Sequence, residues 1–393
     1  MNICFFTSEY VSPLRGGVER VTFILFNEFI KRGHNCYIIS RNKSMKGDVL
    51  LEGQYSLLEN NVNNKENIDF VSDFIERNNI EIIINQSHHQ DILQLCKLMK
   101  DRYKCKLISV FHTHPLSLIF DIKDRLAEII WAKKLLYKKI LLVADWGIRY
   151  FYRLYNRKRY ITNLLRLKCQ YSDAFVLLSE EYIPIFNKFI SINKKVNKLV
   201  AISNPIESSI DNQKLKKKKI LWVGRMTFAA KRPDRIVKIW ERIWQNCEGW
   251  ELYMLGDGDA KNILEKYCVD KNIGNIYFEG NVNPKIYYEE ASILCMTSSY
   301  EGFGMVLVEA LQNRVIPIVY NSSEVFNDII KEGETGFLIK AFKNGLYEKK
   351  LLKLVNDEGM RSEIIKNIEN DDIFERLSLD TIYNKWMNLF NQI

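Results

Sequence analysis

The sequence predicts an α/β protein built from two doubly wound domains in tandem. Short apolar runs alternate with longer segments of helical periodicity, the pattern of a parallel sheet with helices on both faces. This pattern restarts in the second half of the chain, and 393 residues are more than one hydrophobic core usually supports. A composition of 47% hydrophobic and 27% charged residues is typical of globular proteins and excludes disorder, collagen and coiled coil.

The first predicted domain covers residues 1–203 and opens with a βαβ unit. Between its first two apolar runs, Val18–Arg32 repeats apolar residues at helical spacing and ends at Gly33, so it predicts the crossover helix. The predicted strands are Ile3–Phe6, Cys36–Ile39, Ile80–Ile84, Leu107–Phe111, Ala174–Leu178 and Leu199–Ile202.

The second predicted domain covers residues 204–372, after a linker marked by Ser203, Asn204 and Pro205. Residues 373–393 have a helical apolar pattern, and we expect this terminal helix to pack back on the first domain. Doubly wound domains bind ligands at the carboxyl ends of their strands, so the expected site is the cleft between the domains. The predicted strands are Ile220–Val223, Trp250–Leu255, Ile276–Phe278, Ile293–Met296 and Val315–Val319.

The basic excess of the chain lies in its first half. Residues 1–200 carry 31 Lys+Arg against 20 Asp+Glu, whereas residues 201–393 carry 26 against 28. Within the first half, Asp121–Lys168 holds 13 basic and 4 acidic residues interleaved with aromatic residues. This composition favours an anionic membrane surface as partner, although a solvated pair of amphipathic helices would have the same composition. Nucleic acid also accepts basic and aromatic surfaces, but no nucleic-acid motif is present, so we expect no nucleic-acid partner.

The remaining composition predicts a cytosolic protein. No apolar run approaches the roughly 20 residues of a membrane span. The apolar start of the chain lacks a basic flank, so we expect a buried strand there and not a signal peptide. The eight cysteines form no C-x-x-C pair and lie mostly in or beside apolar runs, which predicts reduced core residues.

Two loops of the second domain carry residues suited to binding phosphate. Gly224 and Arg225 follow a predicted strand and Lys231 comes six residues later, so a sharp turn and two cations can clamp a diphosphate. Basic loop residues are common, and this signal alone is weak. The loop Glu301–Gly304 is a stronger one, because it leads into an apolar helix whose N-terminus offers free N–H groups to an anion. Glu309, within that helix, is placed to bind ribose hydroxyls.

The first domain has weaker candidates. Gly16 and Gly17 precede the first helix and permit close approach of a ligand, although a pair of glycines more often serves a turn. His112 follows the strand Leu107–Phe111, and its alternative role is that of a core-edge histidine bonded to the backbone. His88 and His89 are adjacent and therefore a poor metal pair, so we expect them to line the acceptor side.

Together these motifs resemble the retaining glycosyltransferases of glycosyltransferase family 4, which have the GT-B fold of two Rossmann-like domains facing across a cleft. The resemblance covers nearly the whole chain and is most specific across Ile220–Leu338. The sequence has the family's pair of glutamates separated by seven residues in an E-G-F-G loop, and its G-R-x5-K element. It departs from the family beside Lys231, where Ala230 and Arg232 replace the usual Glu and Gly, so loop shape and donor fit are expected to differ.

The resemblance implies roles for individual residues. The residues of the transfer step would be His112, Arg225, Lys231 and Glu301. The residues that bind the donor would be Gly16, Gly17, Gly224, Gly256, Val282, Gly302, Phe303, Gly304, Met305, Val306 and Glu309.

The resemblance also implies an activity. The protein would be a hexosyltransferase (EC 2.4.1.-) that moves a hexose or N-acetylhexosamine from a nucleoside-diphosphate sugar, preferably a UDP-sugar, to an oligosaccharide or lipid-linked acceptor. The process would be surface-polysaccharide synthesis (capsule, O-antigen or lipopolysaccharide) at the inner face of the cytoplasmic membrane. The family needs no metal or other cofactor. The alternatives are a GDP-mannose-dependent mannosyltransferase and a non-catalytic scaffold that binds a nucleotide sugar.

Overall fold

The structure is a computed structural model that describes residues 1–13, 15–131, 136–190, 198–207 and 215–393. Lys133 and Lys134, which belong to the basic and aromatic segment, lie outside these residues. The internal contacts of the chain divide it into two units. The first unit comprises Met1–Thr113, Tyr160–Glu207 and Glu375–Ile393, and the second comprises His114–Arg159 and Ser208–Phe374.

A parallel sheet forms the centre of the first unit. Its strands are nearly continuous apolar runs because helices cover both faces. The strand order is β3-β2-β1-β4-β5-β6-β7. The strands are β1 (Asn2–Thr7), β2 (Asn35–Ser40), β3 (Gln54–Ser56), β4 (Ile82–Asn85), β5 (Lys106–Phe111), β6 (Ala174–Leu177) and β7 (Leu199–Ala201).

The helices of the first half alternate with these strands, as crossovers between parallel strands require. The first helix ends where Gly33 adopts a left-handed φ of +86°. The helices are α1 (Gly17–Lys31), α2 (Lys65–Arg77), α3 (Gln90–Tyr103), α4 (Ser117–Trp131), α5 (Leu136–Tyr171) and α6 (Tyr182–Ile190).

The second unit is built on a second parallel sheet, with strand order β10-β9-β8-β11-β12-β13. Its strands are β8 (Lys219–Val223), β9 (Glu251–Leu255), β10 (Ile276–Gly280), β11 (Ile293–Met296), β12 (Ile316–Asn321) and β13 (Phe337–Lys340). The helices of the second half are α7 (Pro233–Ile243), α8 (Lys261–Asp270), α9 (Lys285–Glu290), α10 (Met305–Gln312), α11 (Phe326–Ile329), α12 (Asn344–Asn356), α13 (Glu358–Glu369), α14 (Ile373–Arg376) and α15 (Leu379–Phe390).

Each predicted strand is present, and two further strands were not predicted. β3 has three residues and β13 has four, and both lie at sheet edges, so neither leaves a long apolar run in the sequence. The segment 114–159 also differs from the predicted boundaries. The prediction placed it in the first domain, but its contacts place it in the second unit.

The terminal segment was predicted as a single helix, which is wrong. The chain forms α14 and α15, because Ser378 caps a new helix by accepting a hydrogen bond from the N–H of Thr381. α15 packs on the first unit, where Tyr383 and Trp386 lie 5.8 and 6.4 Å from the ring of Phe29.

All eight cysteines are buried and free of disulfides, as predicted. In the part of the chain that the structure describes, no helix combines the length and the apolar character that crossing a membrane demands.

The aromatic contact of α15 yields a stability prediction. Trp386 is 2% exposed, so Trp386→Ala should lower the free energy of unfolding of the first unit by about 3–5 kcal/mol. The measurement is urea denaturation followed by fluorescence and circular dichroism. Val269→Ala, at a position that is 75% exposed, is the control and should change stability by less than about 0.5 kcal/mol. Equal stability of the two variants would contradict the proposed packing.

Candidate functional site

The carboxyl ends of the parallel strands bring the predicted donor-binding loops of the second unit together. β8 is followed by Gly224 and β9 by Gly256, and the two backbones touch. A Cβ atom on Gly256, whose φ is +128°, would lie 2.0 Å from the carbonyl oxygen of Gly224. The N–H of Gly256 donates to the carbonyl of Gly280 at the end of β10 (2.7 Å). Only glycine fits this crossing, which keeps the three loops close together.

The structure pairs two of the predicted catalytic residues directly. The ammonium Nζ of Lys231 donates to both carboxylate oxygens of Glu301, at 2.7 and 2.8 Å. Ser298 Oγ donates to Glu301 Oε1 at 2.6 Å, and the backbone N–H of Glu301 donates to Ser323 Oγ at 2.8 Å. Glu301 is 8% exposed, so the lysine and the serine compensate a carboxylate that is largely removed from water.

The loop after Glu301 runs into the N-terminus of α10. Gly304 is the N-cap residue with φ +94°, and a Cβ atom there would lie 3.3 Å from a methyl group of Leu307. The preceding Phe303 is buried. The other donor residues predicted on this element, Gly302, Met305, Val306 and Glu309, are all partly exposed.

Two further predicted residues lie on neighbouring loops. Arg225 directly follows Gly224 and is exposed, and no described side chain forms an ion pair with it. Val282 follows β10, is partly exposed, and donates its N–H to the carbonyl of Gly280 at 3.1 Å. Within the second unit, the structure thus places the predicted cations and the α10 N-terminus on loops that leave one edge of the sheet.

A pocket of about 660 Å³ also lies within the second unit. Its wall combines two phenylalanines with arginines and short polar side chains, and it includes Ser323, which bonds to Glu301. It is lined by Phe120, Asp124, Arg232, Arg235, Ser299, Asn321, Ser322, Ser323, Glu324, Asn327, Ala341 and Phe342.

In the first unit, the two predicted glycines stand at the start of α1. Gly16 is the N-cap residue, and a Cβ atom on it would lie 2.8 Å from Glu19 Oε2. Gly17 is the first helical residue and has open space around it.

His112 lies in a buried polar cluster at the carboxyl ends of β4 and β5. Its Nε2 is hydrogen bonded to Gln86 Oε1. Nearby, the side chain of Lys168 is completely buried and donates to the carbonyl oxygens of Ser87 (2.7 Å) and Val110 (3.4 Å). No described carboxylate pairs with this ammonium, which has these two carbonyl oxygens as hydrogen-bond partners and lies 5.8 Å from the ring centroid of Phe111.

Burial and the neighbouring positive charge keep the histidines of this cluster neutral. Burial lowers the pKa of His112 to about 3, and the charge of Lys168 adds to the effect. Burial and the adjacent His89 lower the pKa of His88 to about 4, and Lys168 contributes there too. Burial likewise lowers the pKa of Lys168 to about 8, so it is still mostly protonated at pH 7. A neutral imidazole at position 112 can exchange hydrogen bonds with a sugar hydroxyl.

Several residues that shape these loops escaped the sequence analysis. Ser298 and Ser323 bind Glu301, and Lys168 lies beside His112, but the sequence analysis gave none of the three a role. His114 is buried with its Nε2 2.8 Å from Glu324 Oε2, which gives it a structural partner within the second unit. Among the described residues, no three His, Cys, Asp or Glu side chains are grouped as metal ligands would be.

The buried lysine yields a prediction on pH dependence. Lys168→Met removes a neighbouring positive charge, so the pKa values of His112 and His88 should rise by roughly one unit, as measured by NMR of labelled histidine. Lys100→Met, which removes a lysine bound to Asp173 in the same unit, should leave both pKa values unchanged. An unchanged His112 pKa in Lys168→Met would contradict the electrostatic role of this lysine.

The sign of the accompanying stability change follows from the lowered pKa values. His112 has a pKa of about 6.5 in the unfolded chain and about 3 in the folded protein. Between these two pH values, the unfolded chain therefore binds more protons at His112 than the folded protein does. The contribution of neutral His112 to the free energy of unfolding is therefore fully present above pH 6.5. It is lost as the pH falls from 6.5 to about 3. The slope should be smaller in Lys168→Met.

Two family models match consecutive parts of the chain. The model of Glycosyltransferase Family 4 matches residues 15–209, and the model of Glycosyl transferases group 1 matches residues 204–371. The second match contains the loops that carry Gly224, Lys231 and Glu301, and it contains α10, which carries Glu309.

Relatives and solved structures agree with these matches. The chain is 26% identical to a poly(ribitol-phosphate) α-N-acetylglucosaminyltransferase of Staphylococcus aureus, over 56% of this chain and 44% of the relative. It is 30% identical to a GalNAc-α-(1->4)-GalNAc-α-(1->3)-diNAcBac-PP-undecaprenol α-1,4-N-acetyl-D-galactosaminyltransferase of Campylobacter jejuni, over 58% of this chain and 63% of the relative. The chain thus spans about half the length of these curated relatives.

The crystal structure of a Staphylococcus aureus TarM mutant in complex with fondaparinux, α-GlcNAc-glycerol and UDP has the same fold. It matches with a TM-score of 0.74 at 15% identity, over 100% of both chains. The two family models, the two parallel sheets and this structural match lead to one conclusion. The chain belongs to the glycosyltransferases of group 1 and family 4 and has the GT-B fold.

Proposed function

We propose that this protein is a retaining glycosyltransferase that moves a hexose or N-acetylhexosamine from a UDP-sugar to a glycan acceptor in cell-surface polysaccharide synthesis. The observation that carries the proposal is the ion pair of Lys231 and Glu301 beside the α10 N-terminus. An ammonium has three N–H donors, and Glu301 accepts two of them, so the third can bind a phosphate oxygen. Glu301 then remains in place to contact the transferred sugar.

The chemistry needs stabilisation of the leaving nucleoside diphosphate. As the glycosidic bond to the donor breaks, negative charge grows on the diphosphate, and Lys231 and Arg225 are cations placed to offset it. The N–H groups at the start of α10 add a partial positive charge. We propose that these groups replace a divalent metal and that the reaction needs none.

The relatives support the choice of donor and stereochemistry. Two of them are named as α-N-acetylhexosaminyltransferases, and α products fit retention of an α-linked nucleotide sugar. The solved neighbour is a complex with UDP. UDP-N-acetylhexosamine is therefore the first donor to test, and GDP-mannose is the alternative, since no residue described above reads the base.

A lipid-linked acceptor is the third part of the proposal. One relative carries PP-undecaprenol in its name, which places its acceptor on a lipid diphosphate. In this chain, the described part of α5 between residues 136 and 160 holds seven Lys and Arg residues against the single acidic residue Asp145. A positive helix of this kind favours an anionic membrane surface.

The same helix exposes large apolar side chains along one face. Their spacing of three and four residues puts them on one stripe, which points away from a packed core. Two copies of this helix would bring like charges together, so an anionic bilayer fits the surface better than a second copy of the chain. The exposed apolar residues on this stripe are Tyr137, Ile140, Leu141, Ile148, Phe151, Tyr152 and Tyr155, whereas Val143 and Tyr160 are exposed on other faces of the helix.

The donor site is tested first by nucleotide binding. Calorimetry with UDP, GDP and their sugar derivatives, without metal and then with Mg²⁺, should show one nucleotide family bound equally in both conditions. A requirement for Mg²⁺ would contradict the metal-free mechanism. Binding of a nucleotide sugar without turnover on any acceptor would favour the scaffold alternative.

Catalysis is tested by substitution of the paired cation. Lys231→Ala should lower kcat by roughly 10²- to 10³-fold, because a charge that stabilises the transition state is lost. Glu309→Ala should lower turnover at fixed donor concentration and raise the donor KM, because the ribose contact is lost. Lys366→Ala, at an exposed position on α13, is the matched control and should match the wild type. Wild-type kinetics in Lys231→Ala would refute the assigned site.

Membrane binding is tested by cosedimentation with vesicles that contain anionic lipid. Each Lys or Arg near such a surface contributes about 1 kcal/mol, so Lys138→Gln with Lys139→Gln should weaken binding roughly 30-fold. The control is the same double change at the exposed Lys349 and Lys353 of α12. Equal binding of the two double variants would count against α5 as the membrane surface.

A further inference from the structure

One buried carboxylate of α4 contacts both loops that carry the Lys231–Glu301 pair. Asp124 is 3% exposed, and all of its contacts described here lie within the second unit. Its Oδ1 accepts hydrogen bonds from Arg232 Nη1 at 3.0 Å and from Ser299 Oγ at 2.7 Å. Its Oδ2 accepts the backbone N–H of Ala230 at 3.3 Å. A single side chain thereby joins the loop after β8 to the loop after β11.

The positions of these contacts bracket the paired residues. Ala230 and Arg232 flank Lys231 on either side, and Ser299 stands two residues before Glu301. The two loops also bond to each other, since the N–H of Ser299 donates to the carbonyl of Ala230 at 2.6 Å. A shift of the β8 loop relative to the β11 loop must therefore break contacts with Asp124.

The backbone of the β8 loop needs such support. Ala230 and Arg232 both have a φ of +50°, a left-handed conformation that costs residues with a side chain roughly 1–2 kcal/mol each. The family pattern has glycine in the position of Arg232, where this conformation carries no penalty. Here the guanidinium of Arg232 binds Asp124 and, through Nε, Oδ1 of Asp234 at 2.9 Å. Burial alone would lower the pKa of Arg232, but the two carboxylates outweigh it and raise the pKa.

The rest of α4 docks independently of Asp124. The ring of Phe120 stacks on Tyr300 at 5.7 Å, next to Glu301. The indole of Trp131 stacks on Phe228 at 5.7 Å with an interplanar angle of 13°. These ring contacts should hold the helix in place when the carboxylate is removed, so a substitution at position 124 can test its electrostatic role without unfolding the unit.

We infer that Asp124 is a positioning residue of the donor site, which holds the loops of Lys231 and Glu301 at the separation that diphosphate and sugar binding require. It acts through its hydrogen bonds with Arg232, Ala230 and Ser299. This inference rests on the proposed function for its kinetic consequences, whereas the clamping of the two loops is a property of the protein alone.

The first test is hydrogen exchange of the ligand-free protein, measured by mass spectrometry on peptides that cover residues 224–235 and 297–304. Asp124→Ala should raise exchange in both peptides, and the isosteric Asp124→Asn should raise it less. The matched control is Glu290→Gln, which weakens ion pairs with Lys217 and Lys219 elsewhere in the second unit. Its exchange in the two peptides should equal that of the wild type. Unchanged exchange in Asp124→Ala would overturn the inference, whether or not the protein binds a nucleotide.

The second test separates positioning from simple stabilisation. In Asp124→Ala, kcat/KM for the donor should fall roughly 10- to 100-fold, since small misplacements of catalytic groups cost this much. The donor KM should rise while the acceptor KM stays constant, which a uniform loss of folded protein cannot produce. Arg232→Ala should cost less in the Asp124→Ala background than in the wild type, because the contact between Arg232 and Asp124 is already lost there. Donor kinetics within two-fold of the wild type would overturn the positioning role, and a wild type that binds no nucleotide would refute the proposed function only.

Discussion

The arrangement of the loops in the second unit depends on a largely buried carboxylate, that of Glu301, which must stay paired. Glu301 has little access to water, and an unpaired charge in such a place costs several kcal/mol. Its oxygens are satisfied by Lys231 and Ser298, which belong to different loops. The ion pair therefore holds the two loops together. Under the proposed function, the ammonium that neutralises Glu301 is also the group that binds the donor diphosphate.

The crossing of loops at the sheet edge depends on the absence of side chains. The carboxyl ends of parallel strands lie at the same edge of a sheet, so the loops after β8, β9 and β10 are crowded together there. Gly256 makes this close packing possible, because without a Cβ atom its backbone can contact the carbonyl of Gly224. At Gly304, a left-handed cap directs the loop after β11 into α10. Backbone N–H groups rather than long side chains then face the space where phosphates would bind.

The first unit contains a buried charge, the ammonium of Lys168, that is not paired with a charge of opposite sign in the described part of the chain. Lys168 has carbonyl oxygens instead of a carboxylate as partners, so its positive charge is not cancelled. That charge disfavours a proton on His112, and burial has the same effect. The imidazole is therefore held neutral across the physiological range, a form that has one hydrogen-bond donor and one acceptor. The charge of Glu301 is thus cancelled by Lys231, whereas the charge of Lys168 is not cancelled by a described carboxylate and lowers the pKa of a neighbour.

The sequence by itself determined the features that depend on neighbours along the chain. Apolar runs, glycine turns and the E-G-F-G loop are local patterns, and they located the parallel strands, Lys231 and Glu301. The edge strands β3 and β13 escaped because neither leaves a long apolar run in the sequence. Only the tertiary structure decided that Asp124, more than 100 residues before Arg232 in the sequence, binds it, and that α4 belongs with the second unit. The physical reason is that a buried carboxylate is stabilised by cations and hydroxyl groups that are distant in the sequence and close only in the folded protein. The residues beside the carboxylate in the chain therefore do not reveal its partners.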